Sequence, residues 1–395
     1  MTKKRSNTPR VPYGPDYGFG AYIHWPYCSR ICPYCDFNVY VAKQRDNSPL
    51  LDAIVEDIAR HRARMPDHPA LSSIYLGGGT PSLLSGKEVE RLIAACDASF
   101  GLKASAEITL EANPHMVTKQ RAVEWRSAGV NRVSLGVQSL ADSALNFLGR
   151  DHSAQQAREA SAIILDSFPS VSLDLIYARP DQKTSDWIEE LEAALALGAH
   201  HISLYELTIE QGTAFGKAFE RGALNPMPDD AQADLFELTH AIMAEAGYPA
   251  YEISNFAIAT EHQSIHNLTY WRSGDWLGVG PGAHGRLTLD GVRHATVAEK
   301  KPGHYVDSVG RHGVGTNSME HLRSDAAAEE MLAMGLRSIE GIATDRLQIA
   351  HAGLVDPYRL EELQSDGWLT SDRERIVLDP TGRLLADRIV SELIT

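Results

Sequence analysis

Three cysteines fall within eight positions, Cys28-Ser29-Arg30-Ile31-Cys32-Pro33-Tyr34-Cys35. At that spacing one compact loop can wrap a metal centre, and soft thiolates select iron–sulfur clusters or zinc. Structural zinc takes four protein ligands, commonly from two Cys or Cys/His pairs, and no second pair stands at matching spacing here. His24 offers a fourth ligand, so zinc is disfavoured without being eliminated. A cubane on three cysteines leaves one iron with no protein ligand, open to the amine and carboxylate of a small molecule. The fourth cysteine, Cys96, sits in a helical pattern and reads as a small buried hydrophobe. Four cysteines in 395 residues make no disulfide framework, and a reducing compartment fits them.

Further polar residues are spaced to serve a ligand. Gly77-Gly78-Gly79-Thr80-Pro81 ends an apolar run, where glycines let backbone approach a ligand without a Cβ clash. Glu111 and Gln138 follow two later β-like runs and can hydrogen-bond ribose hydroxyls or an amine; helix capping or a solvated loop end is the plain alternative for each. Arg150 and Asp174 offer charge for a carboxylate or an amine, against the plain reading of an ion pair. His266-Asn267-Leu268-Thr269-Tyr270-Trp271 offers an imidazole as an axial iron ligand, with Tyr270 and Trp271 to cover a porphyrin face. Core packing is the ordinary alternative for such an aromatic cluster.

The elements that must position these residues alternate from Tyr22 to about Leu207. Short β-branched runs at 21–24, 73–76, 107–110, 132–135, 171–176 and 201–205 are separated by helical patterns such as 50–64, 118–128 and 187–197. That alternation predicts a parallel sheet with crossover helices, an α/β fold. Six βα units are too few to close an eight-fold barrel, so the expectation is a partial (β/α)6 TIM-like barrel with its polar residues on the rim where strands end. From about Pro226 to Arg293 the periodicity breaks into Gly, His and aromatic-rich loops, and 226–320 as a whole reads as an α+β lid and ligand-facing region. Residues 321–395 suggest two helices, a hairpin and a last helix, a winged-helix-like module. Residues 1–16 read as a flexible tail, leaving 17–225 for the partial barrel.

Lys and Arg number 37 against 52 Asp and Glu, a net charge of -15 that opposes contact with a phosphate backbone. Nucleic acid is excluded as the expected partner. The basic start Met1-Thr2-Lys3-Lys4-Arg5 is followed by prolines and polar residues rather than the apolar run of a signal peptide. No stretch is apolar enough to cross a bilayer, so the expected location is cytoplasmic, with peripheral contact at the inner membrane still open.

The C-x3-C-x2-C spacing after a first strand, with aromatic Tyr34 before the last cysteine, resembles the radical S-adenosylmethionine superfamily. That resemblance implies a [4Fe-4S] cluster on Cys28, Cys32 and Cys35, whose reduction cleaves S-adenosylmethionine to a 5′-deoxyadenosyl radical. Tyr22, Gly78, Gly79, Thr80, Glu111, Gln138, Arg150 and Asp174 match in order the S-adenosylmethionine contacts of the oxygen-independent coproporphyrinogen oxidase family. One departure is Tyr177-Ala178-Arg179-Pro180-Asp181-Gln182, where that family has Gly-Leu-Pro-Gly. Its decarboxylases carry another cysteine two positions after the cluster motif, and here Phe37 stands there. Phe37 and the His266 element are similar instead to the HemW branch of haem chaperones. The resemblance implies haem as cargo, with His266 as its iron ligand and His284 or His262 as substitutes. It also implies haem-acceptor proteins as partners, some at the membrane surface, and is compatible with a homodimer. Decarboxylation of coproporphyrinogen III is the alternative activity.

Overall fold

The computed structural model describes residues 11–41 and 46–394. All six expected strands form, each longer than its apolar kernel: β1 (Phe19–Trp25), β2 (Leu71–Gly78), β3 (Leu102–Ala112), β4 (Arg132–Gln138), β5 (Ser170–Tyr177) and β6 (His201–Glu206). They lie side by side in chain order and all pair parallel. Strand β1 is buried on both faces, with Phe19, Ala21 and Ile23 on one and His24 on the other. The expected helices also form, as Ser48–Arg64, Lys119–Ser127 and Thr184–Leu195. Helix Gly86–Phe100 starts at a capping box in which Ser85 and Glu88 satisfy each other's backbone amides.

The sheet continues past residue 225. β7 (Asn255–Ala257) pairs antiparallel with β6, while β8 (Asp275–Val279) pairs parallel with β1 at the other side. β9 (His284–Leu289), β10 (Val292–Ala298) and β11 (Thr316–His321) extend that side as an antiparallel meander. The complete order is β11-β10-β9-β8-β1-β2-β3-β4-β5-β6-β7, an open sheet with an edge at each end. The 226–320 region expected as an α+β lid, with loops to about 293, holds these strands together with helices Asp229–Glu245, Ile265–Trp271 and Pro302–His312, so less of it is loop than expected. Two of its glycines are points of close backbone approach: a Cβ on Gly278 would stand 2.2 Å from the His284 carbonyl oxygen, and one on Gly280 would stand 2.3 Å from that of His24.

The last 70 residues build a second core from helices Ser324–Leu336, Thr344–Ala350, Pro357–Ser365 and Ala386–Leu393 around a small sheet. That sheet comprises β12 (Ile342–Ala343), β13 (Leu369–Ser371) and β14 (Arg375–Leu378) in the order β12-β14-β13. The two expected helices, the hairpin and the last helix all form, with two further short helices, 344–350 and 380–383. Glu330 and Glu340 tie the module to the large sheet through Arg286 at 2.7 Å and Arg272 at 2.5 Å. Residues 11–16 belong to the folded part rather than to a loose tail: the Gly14 amide donates to Ser273 O, and Arg346 donates to Pro12 O.

Candidate cofactor site

The cysteine loop leaves the C-terminal end of β1 and is fastened at both ends. The Gly79 and Thr80 amides donate to the carbonyls of Trp25 and Tyr27 at 2.7 and 2.8 Å, and the Tyr40 amide closes the loop onto Pro26 O. Asn38 donates to the carbonyls of Pro281 and Lys300, both at 2.8 Å, while its own carbonyl meets His24 Nε2. In the middle, the Cys35 amide donates to Cys32 O and the Phe215 amide to Pro33 O. The backbone is thus held while the thiols face a cavity of about 570 Å3 at the strand ends.

That cavity brings together Cys28, Cys32, Cys35 and Tyr34 from the loop with Gly78 at the end of β2, Gly79 and Thr80 just after it, Glu111 on β3, Gln138 on β4, Arg150 between two helices and Asp174 on β5. Its volume lies in the range of small-molecule and cofactor sites. A single tetrahedral zinc would need its thiolates all about 2.3 Å from one point, whereas a cubane takes one thiolate at each of three corners. The donor set and the cavity therefore fit the cluster, with space beside it for a ligand.

Arg150 organises the side of the cavity facing the cysteines. Its guanidinium donates to Cys32 Sγ at 3.4 Å and the Tyr34 hydroxyl at 3.5 Å, and on its other arm to Asn113 Oδ1 at 2.5 Å and Gly136 O at 3.2 Å. The plain ion-pair alternative thus does not describe Arg150, whose partners are a thiol, a phenol, an amide and a carbonyl. Burial pushes the Cys35 thiol up to about 11 and raises Cys28 as well, so holding these sulfurs as thiolates falls to bound iron. Gln138 takes a left-handed backbone, φ 62°, where the β4–β5 register slips, which turns the strand end toward the cavity.

Glu111 and Asp174 are two half-buried carboxyls of the floor. Glu111 accepts from the Tyr75 hydroxyl and from the Gly78 amide, both at 3.0 Å, and burial drives it up to about 7. Asp174 accepts from Ser134 at 2.7 Å and Ser172 at 2.9 Å, and burial raises it too. Neither caps a helix nor lies in solvent. Each keeps acceptor capacity facing the cavity, suited to a cationic amine or to hydroxyl donors.

Two of the residues singled out in the sequence do not line the cavity. Tyr22 lies behind the floor, its hydroxyl 2.9 Å from His24 Nδ1 and its ring stacked on Tyr75. His266 is 1% exposed, with Nδ1 2.8 Å from Ser73 Oγ and Nε2 2.7 Å from the Tyr270 hydroxyl. Burial lowers its pKa to about 3. As described, then, His266 has no free ring nitrogen for an iron. Tyr270 turns to His266 and Trp276, and Trp271 packs with Tyr251, Ala257 and Leu268, so the two rings cover no common face.

Sequence reasoning missed Tyr75, Asn113 and Ser134 in the lining. Asn113 follows Glu111 by two and Ser134 pairs across the sheet with Ser172, so period-two alternation and strand register were the available signals. The Tyr177–Gln182 departure also resolves. Ala178 and Asp181 stand where that pattern has glycine and still take left-handed conformations, φ 54° and 59°. Between them Arg179 makes a buried 2.6 Å ion pair with Glu190.

Compared with known proteins, residues 22–194 match the model of the Radical SAM superfamily and residues 322–385 that of the HemN C-terminal domain. Heme chaperone HemW of Mycobacterium tuberculosis is 36% identical over 384 residues, 96% of each chain. The chain belongs to the radical SAM superfamily, in the same family as that protein. The mitochondrial radical S-adenosyl methionine domain-containing protein 1 of Bos taurus is 37% identical over 95% of this chain and 87% of its own. Coproporphyrinogen III oxidase (HemN) of Escherichia coli shares the fold, with a TM-score of 0.80 over 98% of this chain and 91% of that one at 22% identity. As a radical SAM protein the chain carries a [4Fe-4S] cluster and S-adenosylmethionine as cofactors. Among the described residues no helix is long and apolar enough to cross a membrane.

Proposed function

We propose that this chain is a haem chaperone that binds haem and passes it to acceptor haemoproteins. In this reading Cys28, Cys32 and Cys35 hold the cluster. The S-adenosylmethionine beside it is held by Gly78, Gly79, Thr80, Glu111, Gln138, Arg150 and Asp174, with Tyr34 from the loop and Tyr22 supporting from behind. When bound, the cluster and S-adenosylmethionine together supply a one-electron reductive cleavage to an adenosyl radical. The chain's own groups bind and orient: Glu111 and Asp174 receive the amine and hydroxyl donors, Arg150 holds the Cys32 and Tyr34 side of the cavity, and the loop fastened by Asn38 keeps solvent to one face.

Phe37 is the observation that carries the chaperone reading. It stands 60% exposed at the mouth of the cavity, two positions after Cys35, where the decarboxylase pattern has cysteine. The fourth cysteine, Cys96, is wholly buried within helix Gly86–Phe100 and does not line the cavity. Sequence identity with a protein named a heme chaperone over nearly the whole chain supports the same reading. For the iron ligand of haem, His266 would first have to give up both its hydrogen bonds. His284 is exposed on β9, and His262 stacks on His200 with centroids 4.5 Å apart. A cytoplasmic location, acceptors at the membrane surface and self-association into a dimer complete the proposal.

The test gives anaerobically reconstituted protein coproporphyrinogen III, S-adenosylmethionine and a reductant, and in parallel titrates it with haem before adding an apo-haemoprotein. Expected are a haem absorption band that moves to the acceptor and an unchanged porphyrinogen. Conversion of propionates to vinyls would replace the chaperone with the decarboxylase.

A further inference from the structure

The His266-Asn267-Leu268-Thr269-Tyr270-Trp271 segment forms a short helix, Ile265–Trp271, pressed against the sheet behind the cavity floor. Its start is pinned by Glu107 at the beginning of β3's buried run: the Ser264 hydroxyl and the Ile265 and His266 amides all donate to that carboxylate, at 3.3, 3.1 and 3.1 Å. Negative charge at a helix start is favourable, and Arg132 stands 3.7 Å from the same carboxylate. Pinned there, the helix delivers the His266 ring into a slot between β1 and β2. Gly20 makes the slot: a Cβ at that position would stand 2.6 Å from Ser73 Oγ and 3.0 Å from His266 Nδ1.

From that slot a continuous set of contacts reaches the cavity. The His266 ring is stacked on Tyr75, with centroids 5.1 Å apart and planes at 25°, and Ser73 and Tyr270 fix its rotation from both sides. Tyr75 in turn packs on Tyr22, and its hydroxyl donates to Glu111 Oε1. The other carboxylate oxygen, Oε2, accepts from the Gly78 amide. Gly77 clears the way, since a Cβ there would stand 2.9 Å from Tyr75, 3.0 Å from Tyr22 and 3.1 Å from Glu111. Ser73 and Tyr75 alternate along β2, so one strand carries both the group that holds the histidine and the group the histidine supports.

We propose that this helix is a positioning device for the S-adenosylmethionine site, in which His266, acting through Tyr75, sets the orientation of the Glu111 carboxylate and the Gly78 turn. The inference rests on the radical SAM reading and gives the element a task other than haem ligation. An aromatic ring held on both edges by hydrogen bonds cannot rotate, so the tyrosine stacked on it is restrained in turn. A half-buried carboxylate whose one oxygen is fixed by a restrained phenol presents the other to a fixed place. Preorganisation of this kind raises affinity by removing the cost of ordering the group on binding.

The test uses the full chain with its cluster reconstituted and two substitutions. His266→Phe keeps a ring against Tyr75 and removes both edge hydrogen bonds; Tyr75→Phe keeps the stack and removes only the link to Glu111. S-adenosylmethionine is titrated against the electron paramagnetic resonance spectrum of the reduced cluster, with iron content, melting temperature and haem absorption measured on the same samples. Each variant should keep its iron, bind haem as the parent does and bind S-adenosylmethionine about fivefold to tenfold more weakly, the worth of one hydrogen bond. The double variant should be no weaker than about the larger single effect, because both act on one carboxylate. A lowered melting temperature with unchanged S-adenosylmethionine affinity would make the element structural only and overturn the inference. Loss of the haem band in His266→Phe with an unchanged titration would overturn it in favour of haem ligation. If the unmodified protein's spectrum does not respond to S-adenosylmethionine, the radical SAM reading fails and this inference with it.

Discussion

The cysteine loop and the His266 helix both present metal-ligating side chains, yet the structure treats them oppositely. In the loop the backbone is tied down by Asn38, Thr80 and Phe215 while Cys32 and Cys35 stay half-buried against a cavity. In the helix the histidine is the part tied down, its two nitrogens taken by Ser73 and Tyr270. Residue type alone therefore does not mark a ligand. What separates the two is whether the donor atom has already spent its capacity within the protein, since a buried polar group must be paired and a ligand must be free.

The comparison breaks first at the cysteines. Cys28→Ala, Cys32→Ala and Cys35→Ala should each take cluster iron from about four atoms per chain to background by chemical iron assay, while His266→Ala should keep it. A tightly bound zinc in place of the brown chromophore would remove the distinction. A smaller but still large effect is expected at Gly78, whose φ of 105° suits glycine. The side chain in Gly78→Val meets the His24 ring, 2.5 Å from the Cβ position, rather than the cavity. It should therefore disturb both the loop and the S-adenosylmethionine response of the spectrum, lowering affinity by about tenfold or more. An unchanged response would show that the Gly78 turn does not shape the site.

Buried acids sharpen the contrast further. Glu252 is 2% exposed, accepts from Asn255 and the Ser254 amide, and burial pushes it up to about 7. A carboxyl raised in the folded state favours folding most below its unfolded value of about 4.3, and that contribution is lost as pH climbs to about 7. Glu252→Gln keeps the shape and removes the charge. It should flatten the decline of denaturant-measured stability over that window, by on the order of 2 kcal/mol; an identical pH profile would show the acid to be solvated. The smallest effect is expected at the loop after β5. Ala178→Gly relieves a left-handed alanine and should stabilise by about 1 kcal/mol in thermal unfolding, with no change in cluster content.

The strands were legible because short β-branched runs such as 107–110, 132–135 and 201–205 recur between helical patterns, and the cluster was legible because three thiolates lie on one short loop. The strands at 275–298 were not. There close packing of backbones requires Gly278, Gly280 and Gly285, and glycine in a sequence looks the same whether it makes a turn or admits a neighbouring strand. Tyr75 was hidden for a different reason: its importance lies in its partner Glu111 on the neighbouring strand, and no local pattern encodes that. His266 was singled out as a haem ligand, but its free or occupied state depends on Ser73, almost two hundred residues earlier.

Translation order adds a consequence to the placement of β1. This strand is made early, yet one of its two neighbours is β8, residues 275–279, and the Asn38 fastening waits for Pro281 and Lys300. Until the ribosome has passed that point, β1 presents a bare strand edge and the cysteine loop has no second anchor, the condition in which growing chains are most exposed to mispairing. Metal loading is accordingly expected to follow synthesis of three quarters of the chain rather than of the cysteines alone. A chain released after residue 274 should take up no cluster on reconstitution, although it contains every cysteine; a brown, cluster-bearing fragment would show that the loop closes without its distant fastening.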